Sequence, residues 1–157
     1  MSNIYESLTA SGFIAEQSLK ERSNISVSEK GKTYILHLER QLSSAVFSVD
    51  GYIIKEGNKC DKLVLLNVKK DKDNGHWLEV FVELKGTDVS HAILQLETTI
   101  KNSIFRCNSI KKIYAKIVAS SFPSNSSNTK FEKARSKFAK EYQCELKRLK
   151  SKQPDKI

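Results

Sequence analysis

The chain has 157 residues, 39% hydrophobic and 29% charged, a composition that suits one folded domain and excludes a disordered chain. No run approaches the ~20 apolar residues of a membrane-spanning helix, and residues 1–19 carry Glu6 and Glu16 without a basic start or apolar core, so a cytoplasmic protein without a signal peptide is expected. The net charge of +9 is one-sided: residues 106–157 hold 14 Lys and Arg against 4 Asp and Glu, whereas residues 1–105 sum to −1, which suits a polyanion such as nucleic acid or, failing that, a solubilising helix surface.

Ile4 to Leu19 reads as one or two short helices broken near Ser11-Gly12. Thr33–Glu39 and Ser44–Val49 read as strands, and Asp50-Gly51 before Tyr52 is a hairpin signal. Asp61–Val68 is rich in Leu and Val and predicts a buried strand. A polar turn ending in Asn74-Gly75 leads into a further strand, His76–Lys85. After Gly86 the period changes. Val89, Ala92, Ile93, Leu96, Ile100 and Ile104 recur every three or four residues, the stripe of an amphipathic helix, with Asp88 placed to cap it. Ile110–Ala119 returns to β character, Ser120–Asn128 is a loop by composition, and a last helix carries Phe131, Ala134, Phe138 and Tyr142 on one face. Cys144–Lys150 fits either a continuation of that helix or a short strand. The order predicts an α/β domain with a mixed central sheet flanked by helices. It divides into residues 1–44 (N-terminal helices and first strand), a core at 45–120 and a basic segment at 121–157. Cys60, Cys107 and Cys144 lack the spacing of a zinc or redox motif and read as reduced thiols.

The strand ending at Lys85 is the most informative stretch. Side chains alternate across a strand, so Leu78, Val80, Val82 and Leu84 share one face and Glu79, Phe81, Glu83 and Lys85 the other. Glu83 and Lys85 are then neighbours about 6–7 Å apart. An antiparallel hairpin through Asn74-Gly75 brings Asp61, at the start of the preceding strand, beside them. Two carboxylates are hard oxygen ligands for Mg²⁺ or Mn²⁺. Such a metal polarises a phosphodiester, and a lysine beside it stabilises charge on phosphate. The plain alternative is an exposed cross-strand ion pair. A second E-x-K, Glu145 to Lys147, lies in a segment with no such strand setting.

Cys60-Asp61-Lys62-Leu63-Val64-Leu65-Leu66 and Phe81-Val82-Glu83-Leu84-Lys85-Gly86, followed by the helix Asp88–Ile100 and the strand near Tyr114–Ala119, resemble the PD-(D/E)XK nuclease superfamily over residues 45–120. The resemblance implies a restriction-endonuclease-like core, metal ligands at Asp61 and Glu83, a catalytic lysine at Lys85 and an added glutamine at Gln95. Cys60 stands where the motif's proline would be. A glutamate from the first helix, which many members use, has three candidates here, Glu6, Glu16 and Glu21. His91 is four residues from Gln95 and could face the same cleft; a surface position suits it equally.

The leading expectation is an Mg²⁺- or Mn²⁺-dependent nuclease whose Lys130, Lys133, Lys137, Lys140 and Arg148 grip nucleic acid, DNA ahead of RNA, by phosphate contacts. The alternative is a non-catalytic nucleic-acid- or protein-binding member of the same fold. Membrane attachment through the basic helix is the weakest reading. Small members of the superfamily often work as dimers, so a homodimer is compatible with the sequence, which maps no interface.

Overall fold

The computed structural model describes residues 3–69, 75–84, 88–122 and 125–157, without the side chains of 69 and 125–128. The described residues form a mixed sheet with three helices, in the order α1 (Ile4–Ala10), β1 (Gln17–Glu29), β2 (Lys32–Ser48), β3 (Lys62–Lys69), β4 (His76–Glu83), α2 (Val89–Ile100), a short 3-10 turn (Ser103–Phe105), β5 (Ile110–Ala119), α3 (Asn125–Tyr142), β6 (Cys144–Lys150) and β7 (Pro154–Lys156). The expected α/β class with helices on a mixed sheet is present. Strand order is β1-β2-β3-β4-β5-β6, and β7 pairs with β2. The pairs β1·β2, β2·β3 and β3·β4 are antiparallel. The pairs β4·β5, β5·β6 and β2·β7 are parallel.

The N-terminal third departs most from the sequence reading. α1 opens on a capping box between Asn3 and Glu6 and stops at Ser11-Gly12, as expected. Residues 17–29, however, are strand, where the sequence reading carried helix on to Leu19 and assigned no element from 20 to 32. Only Ile25 and Val27 of β1 are buried; Ser18 to Glu21 lie exposed on the sheet edge and give no apolar alternation to read. The two strands expected at 33–39 and 44–49 are one 17-residue strand that runs through the 44/45 division. Its first half pairs with β1 and β7, its second half with β1 and β3, and a register shift between Arg22 and Asn24 marks the change. Lys30 and Gly31, both at positive φ, turn β1 into β2 as primed hairpin turns require. The turn at Asp50-Gly51 exists, with Gly51 at φ 75°, but leads into an irregular connection to β3.

Two cores sandwich the sheet. On the helix side Phe47, Leu63, Leu65 and Phe81 pack with Ala92 and Leu96 of α2 and Phe131 and Phe138 of α3. On the other side Val64, Leu66, Val80, Val82 and Leu84 meet Ile25, Val27, Tyr34 and Leu36 of the β1–β2 hairpin. The alternation read from β4 is therefore correct, but both of its faces are interior.

The basic C-terminal segment also joins the sheet. α3 starts at Asn125, inside the stretch taken for a loop. Gln143, at φ 51°, ends it in a left-handed turn. The open choice at Cys144–Lys150 resolves as a strand, with Cys144, Leu146 and Leu149 buried, so Glu145 and Lys147 have a strand setting after all. Asp155 of β7 is buried among Tyr34 Oη at 2.7 Å, Lys147 Nζ at 2.7 Å and Lys116 Nζ at 3.0 Å, and so pins β7 to β2, β5 and β6.

Candidate active site

β3 and β4 run antiparallel in a register that pairs Lys62 with Val82, so the next step outward sets Asp61 beside Glu83. The Asp61 amide donates to the Val82 carbonyl at 3.1 Å, and the Leu84 amide donates to Asp61 Oδ2 at 2.7 Å. Asp61 is thus oriented by the backbone of the strand that carries Glu83. Their side chains are 1% and 0% exposed, so both carboxylates are interior groups; the alternative of an ion pair between Glu83 and Lys85 falls on a residue outside the described ones. Asp61 Oδ1 accepts no hydrogen bond from the described residues. Lys85 and Gly86 lie outside the described residues.

α2 holds this corner in place. Asp88 caps it through the His91 amide, as its position predicts. Thr99 Oγ1 donates to the Gln95 carbonyl at 2.7 Å and accepts from the Cys60 amide at 2.9 Å. Gln95 is 5% exposed and donates its Nε2 to the Lys59 carbonyl at 3.2 Å. Gln95 and Thr99 together fix residues 59 and 60, the approach to Asp61. The expected site position of Gln95 is therefore that of a group setting the backbone before Asp61, and its Oε1 is buried without a hydrogen bond from the described residues. Burial and the nearby Glu83 and Asp61 carboxylates push the Cys60 thiol above its usual range, so it stays neutral. His91 is exposed, and Trp77 and Phe81 are core.

The residue that sequence reading missed is Lys30. It stands at the tip of the β1–β2 hairpin, and its Nζ is 3.6 Å from Asp61 Oδ1. Partial burial opposes its charge, but the carboxylates of Asp61, Asp50, Glu83 and Glu29 outweigh that and raise its pKa. Lys62, on the opposite face of β3, binds Glu16 at 2.6 Å and Glu29 at 3.3 Å. Of the three candidate glutamates, Glu16 is engaged by Lys62, the residue next to Asp61. Glu6 serves the α1 cap, and Glu21 lines a surface groove with Arg40 and Asn67. Among the described residues no three His, Cys, Asp or Glu side chains group as metal ligands. The Lys30-Gly31 turn was visible in the sequence only as a Lys-Gly pair; that its tip reaches Asp61 depends on the bend in β2.

The five predicted nucleic-acid contacts divide. Lys130, Lys133 and Lys140 are exposed on α3. Lys137 is exposed too but binds Glu97 of α2 at 2.8 Å, where Tyr142 Oη also donates at 2.6 Å. Arg148 belongs to β6, and its guanidinium lies 4.4 Å from the Phe131 ring centre and 5.1 Å from that of Phe122. Glu83 pairs with Ile117 and Ile117 with Arg148, so Arg148 shares a row with Glu83 two strands away, about 10 Å at ~4.8 Å per strand. This row lies at the carboxyl ends of parallel β4, β5 and β6, where open α/β sheets place their ligands. No described helix is long and apolar enough to cross a membrane. Compared with family models, with curated proteins and with solved structures, the chain matches none.

Proposed function

We propose that this protein is a metal-dependent nuclease of the PD-(D/E)XK type that hydrolyses phosphodiester bonds of nucleic acid. The observation that carries the reading is the buried pair of Asp61, oriented by the Leu84 amide, and Glu83 on adjacent antiparallel strands, followed by α2 and by β5 parallel to β4. The strand, strand, helix, strand order over residues 45–120 supports the same reading.

The donor chemistry suits a hard cation in part. Asp61 and Glu83 offer carboxylate oxygens, and Asp61 Oδ1 is without a hydrogen bond from the described residues. Mg²⁺ fits a site with few protein ligands because it keeps several waters and takes substrate oxygens. When bound, Mg²⁺ or Mn²⁺ would polarise the phosphodiester and lower the pKa of a bound water. On the protein's side, the Leu84 amide holds Asp61 in one orientation, and Gln95 and Thr99 hold the chain that leads into it. Lys30 is within reach of a phosphate lying against Asp61, where its ammonium offsets charge that builds up in the transition state. Lys130, Lys133 and Lys140 bind backbone phosphates, DNA ahead of RNA, without reading sequence.

One observation favours a second reading, a non-catalytic binding protein on the same fold. Lys30 already sets a cation against Asp61. The two readings part in a cleavage assay on DNA and RNA with Mg²⁺, Mn²⁺ or EDTA, using the wild type, Asp61→Asn, Glu83→Gln and Lys30→Ala. The nuclease reading expects metal-dependent cleavage that the two carboxylate variants lose and Lys30→Ala slows. Binding of nucleic acid by a folded wild type that cleaves nothing under any metal would decide for the binding protein.

A further inference from the structure

Glu79 is the other acidic residue of β4. It projects from the same face as Glu83, about 13 Å away at ~3.3 Å per residue, and no step proposed above uses it. It is 2% exposed, and its Oε2 is buried without a hydrogen bond from the described residues. A buried carboxyl left in this state is destabilising and calls for a partner. Burial, and secondarily Cys107 nearby, push its pKa well above the ordinary carboxylate range and favour the neutral acid.

Glu79 lines a cavity of about 560 Å³ between the sheet and the ends of α2 and α3, within the size range of small-molecule sites. Phe105 and Ile113 give it apolar walls, and Tyr142 closes one side. Lys101 and Arg106 stand exposed at its rim. The interior thus offers one planar group that both donates and accepts, set among apolar walls, and the mouth offers two cations and one exposed carboxylate, Glu141.

We infer that this cavity is a binding site for a nucleoside monophosphate, with Glu79 pairing to the edge of the base and Lys101 and Arg106 meeting the phosphate. A neutral carboxyl donates through its hydroxyl and accepts through its carbonyl. Each nucleobase has a ring edge with the complementary pattern, a donor beside an acceptor. An ionised carboxylate only accepts and loses that pairing with all but an edge of two donors. The apolar walls suit the faces of a flat ring, and the rim suits a phosphate. The site lies apart from Asp61 and Glu83 and does not depend on their role.

Isothermal titration of the full chain with AMP, CMP, GMP and UMP, with inorganic phosphate as control, tests the assignment. At least one nucleotide should bind at one per chain, more tightly than phosphate, with affinity falling as pH rises. Glu79→Gln keeps a donor and an acceptor, so it should retain binding and flatten the pH dependence. Glu79→Leu and Arg106→Ala should each weaken binding at least about tenfold. Melting temperature reports folding: Glu79→Leu should melt at or above the wild type, and exposed Arg106→Ala within a degree or two. Asp61→Asn should bind as the wild type does, which separates this site from the proposed nuclease site. Absence of binding by all four nucleotides at millimolar concentration, or binding undiminished in folded Glu79→Leu or Arg106→Ala, would overturn the assignment.

Discussion

Two buried aspartates, on opposite faces of one sheet, have been treated differently by the fold. Asp155 has both oxygens engaged, Oδ1 by Lys147 and Oδ2 by Tyr34 and Lys116, and the Lys116 and Asp155 side chains are 0% exposed. Asp61 has one oxygen held by the Leu84 amide, while the other accepts no hydrogen bond from the described residues and has Lys30 at 3.6 Å, a side chain 46% exposed at a hairpin tip. The first arrangement is complete within the chain and joins four strands. The second is oriented but incomplete, and its cation comes from a turn. Buried polar groups that the chain itself satisfies hold structure together; those it orients and leaves short of partners are candidates for chemistry.

The largest effect that would break this contrast is on stability. Asp155→Ala leaves Lys116 buried without its counter-charge and should lower the unfolding free energy by about 3–5 kcal/mol, read by urea denaturation. A loss below about 1 kcal/mol would mean that β7 is not held by this cluster. The pH dependence follows. Burial tends to raise the Asp155 pKa, but the hydrogen bonds from Lys147 and Tyr34 and the charge of Lys116 outweigh it and lower the value. A lowered folded pKa gives stability that is present above the unfolded carboxylate value of ~3.9 and lost as pH falls through the folded one. Asp155→Asn should therefore flatten the acid limb of the stability curve.

Asp61→Asn sharpens the same comparison from the other side. The amide oxygen of Asn can still accept from Leu84, so stability should change by less than about 1 kcal/mol while metal-dependent cleavage falls at least about 100-fold. Similar losses in both quantities would place Asp61 with Asp155 as a structural group. A smaller effect concerns the union of α2 and α3. Tyr142→Phe removes the 2.6 Å bond to Glu97 and should cost about 1 kcal/mol by thermal unfolding. The smallest is confined to the surface. Lys130, Lys133 and Lys140 changed together to Ala should leave stability unaltered and reduce the slope of log affinity against log salt by about 2–3 for a DNA duplex. An unchanged slope would remove α3 from the nucleic-acid contact.

The sequence by itself determined the strip from β3 to β5. The Leu/Val content of β3, the Asn74-Gly75 pair, the alternation of β4 and the three- and four-residue stripe after Asp88 are local signals, and they were enough to set Asp61 beside Glu83. Tertiary structure decided what local signals do not encode. Residues 17–29 became a strand because β2 was there to pair with, although half of β1 has no apolar face of its own. Cys144–Lys150 became a strand because parallel β5 offered an edge and the two cores offered burial for Cys144, Leu146 and Leu149. Lys30 met Asp61 only because β2 changes partners midway and carries the hairpin over the sheet. Glu79 differs from Glu83 only in what packs above it, a cavity made by residues about 20 to 60 positions downstream. Register and periodicity travel along the chain and can be read from it, whereas the surroundings of a charge are assembled from distant segments and exist only in the folded molecule.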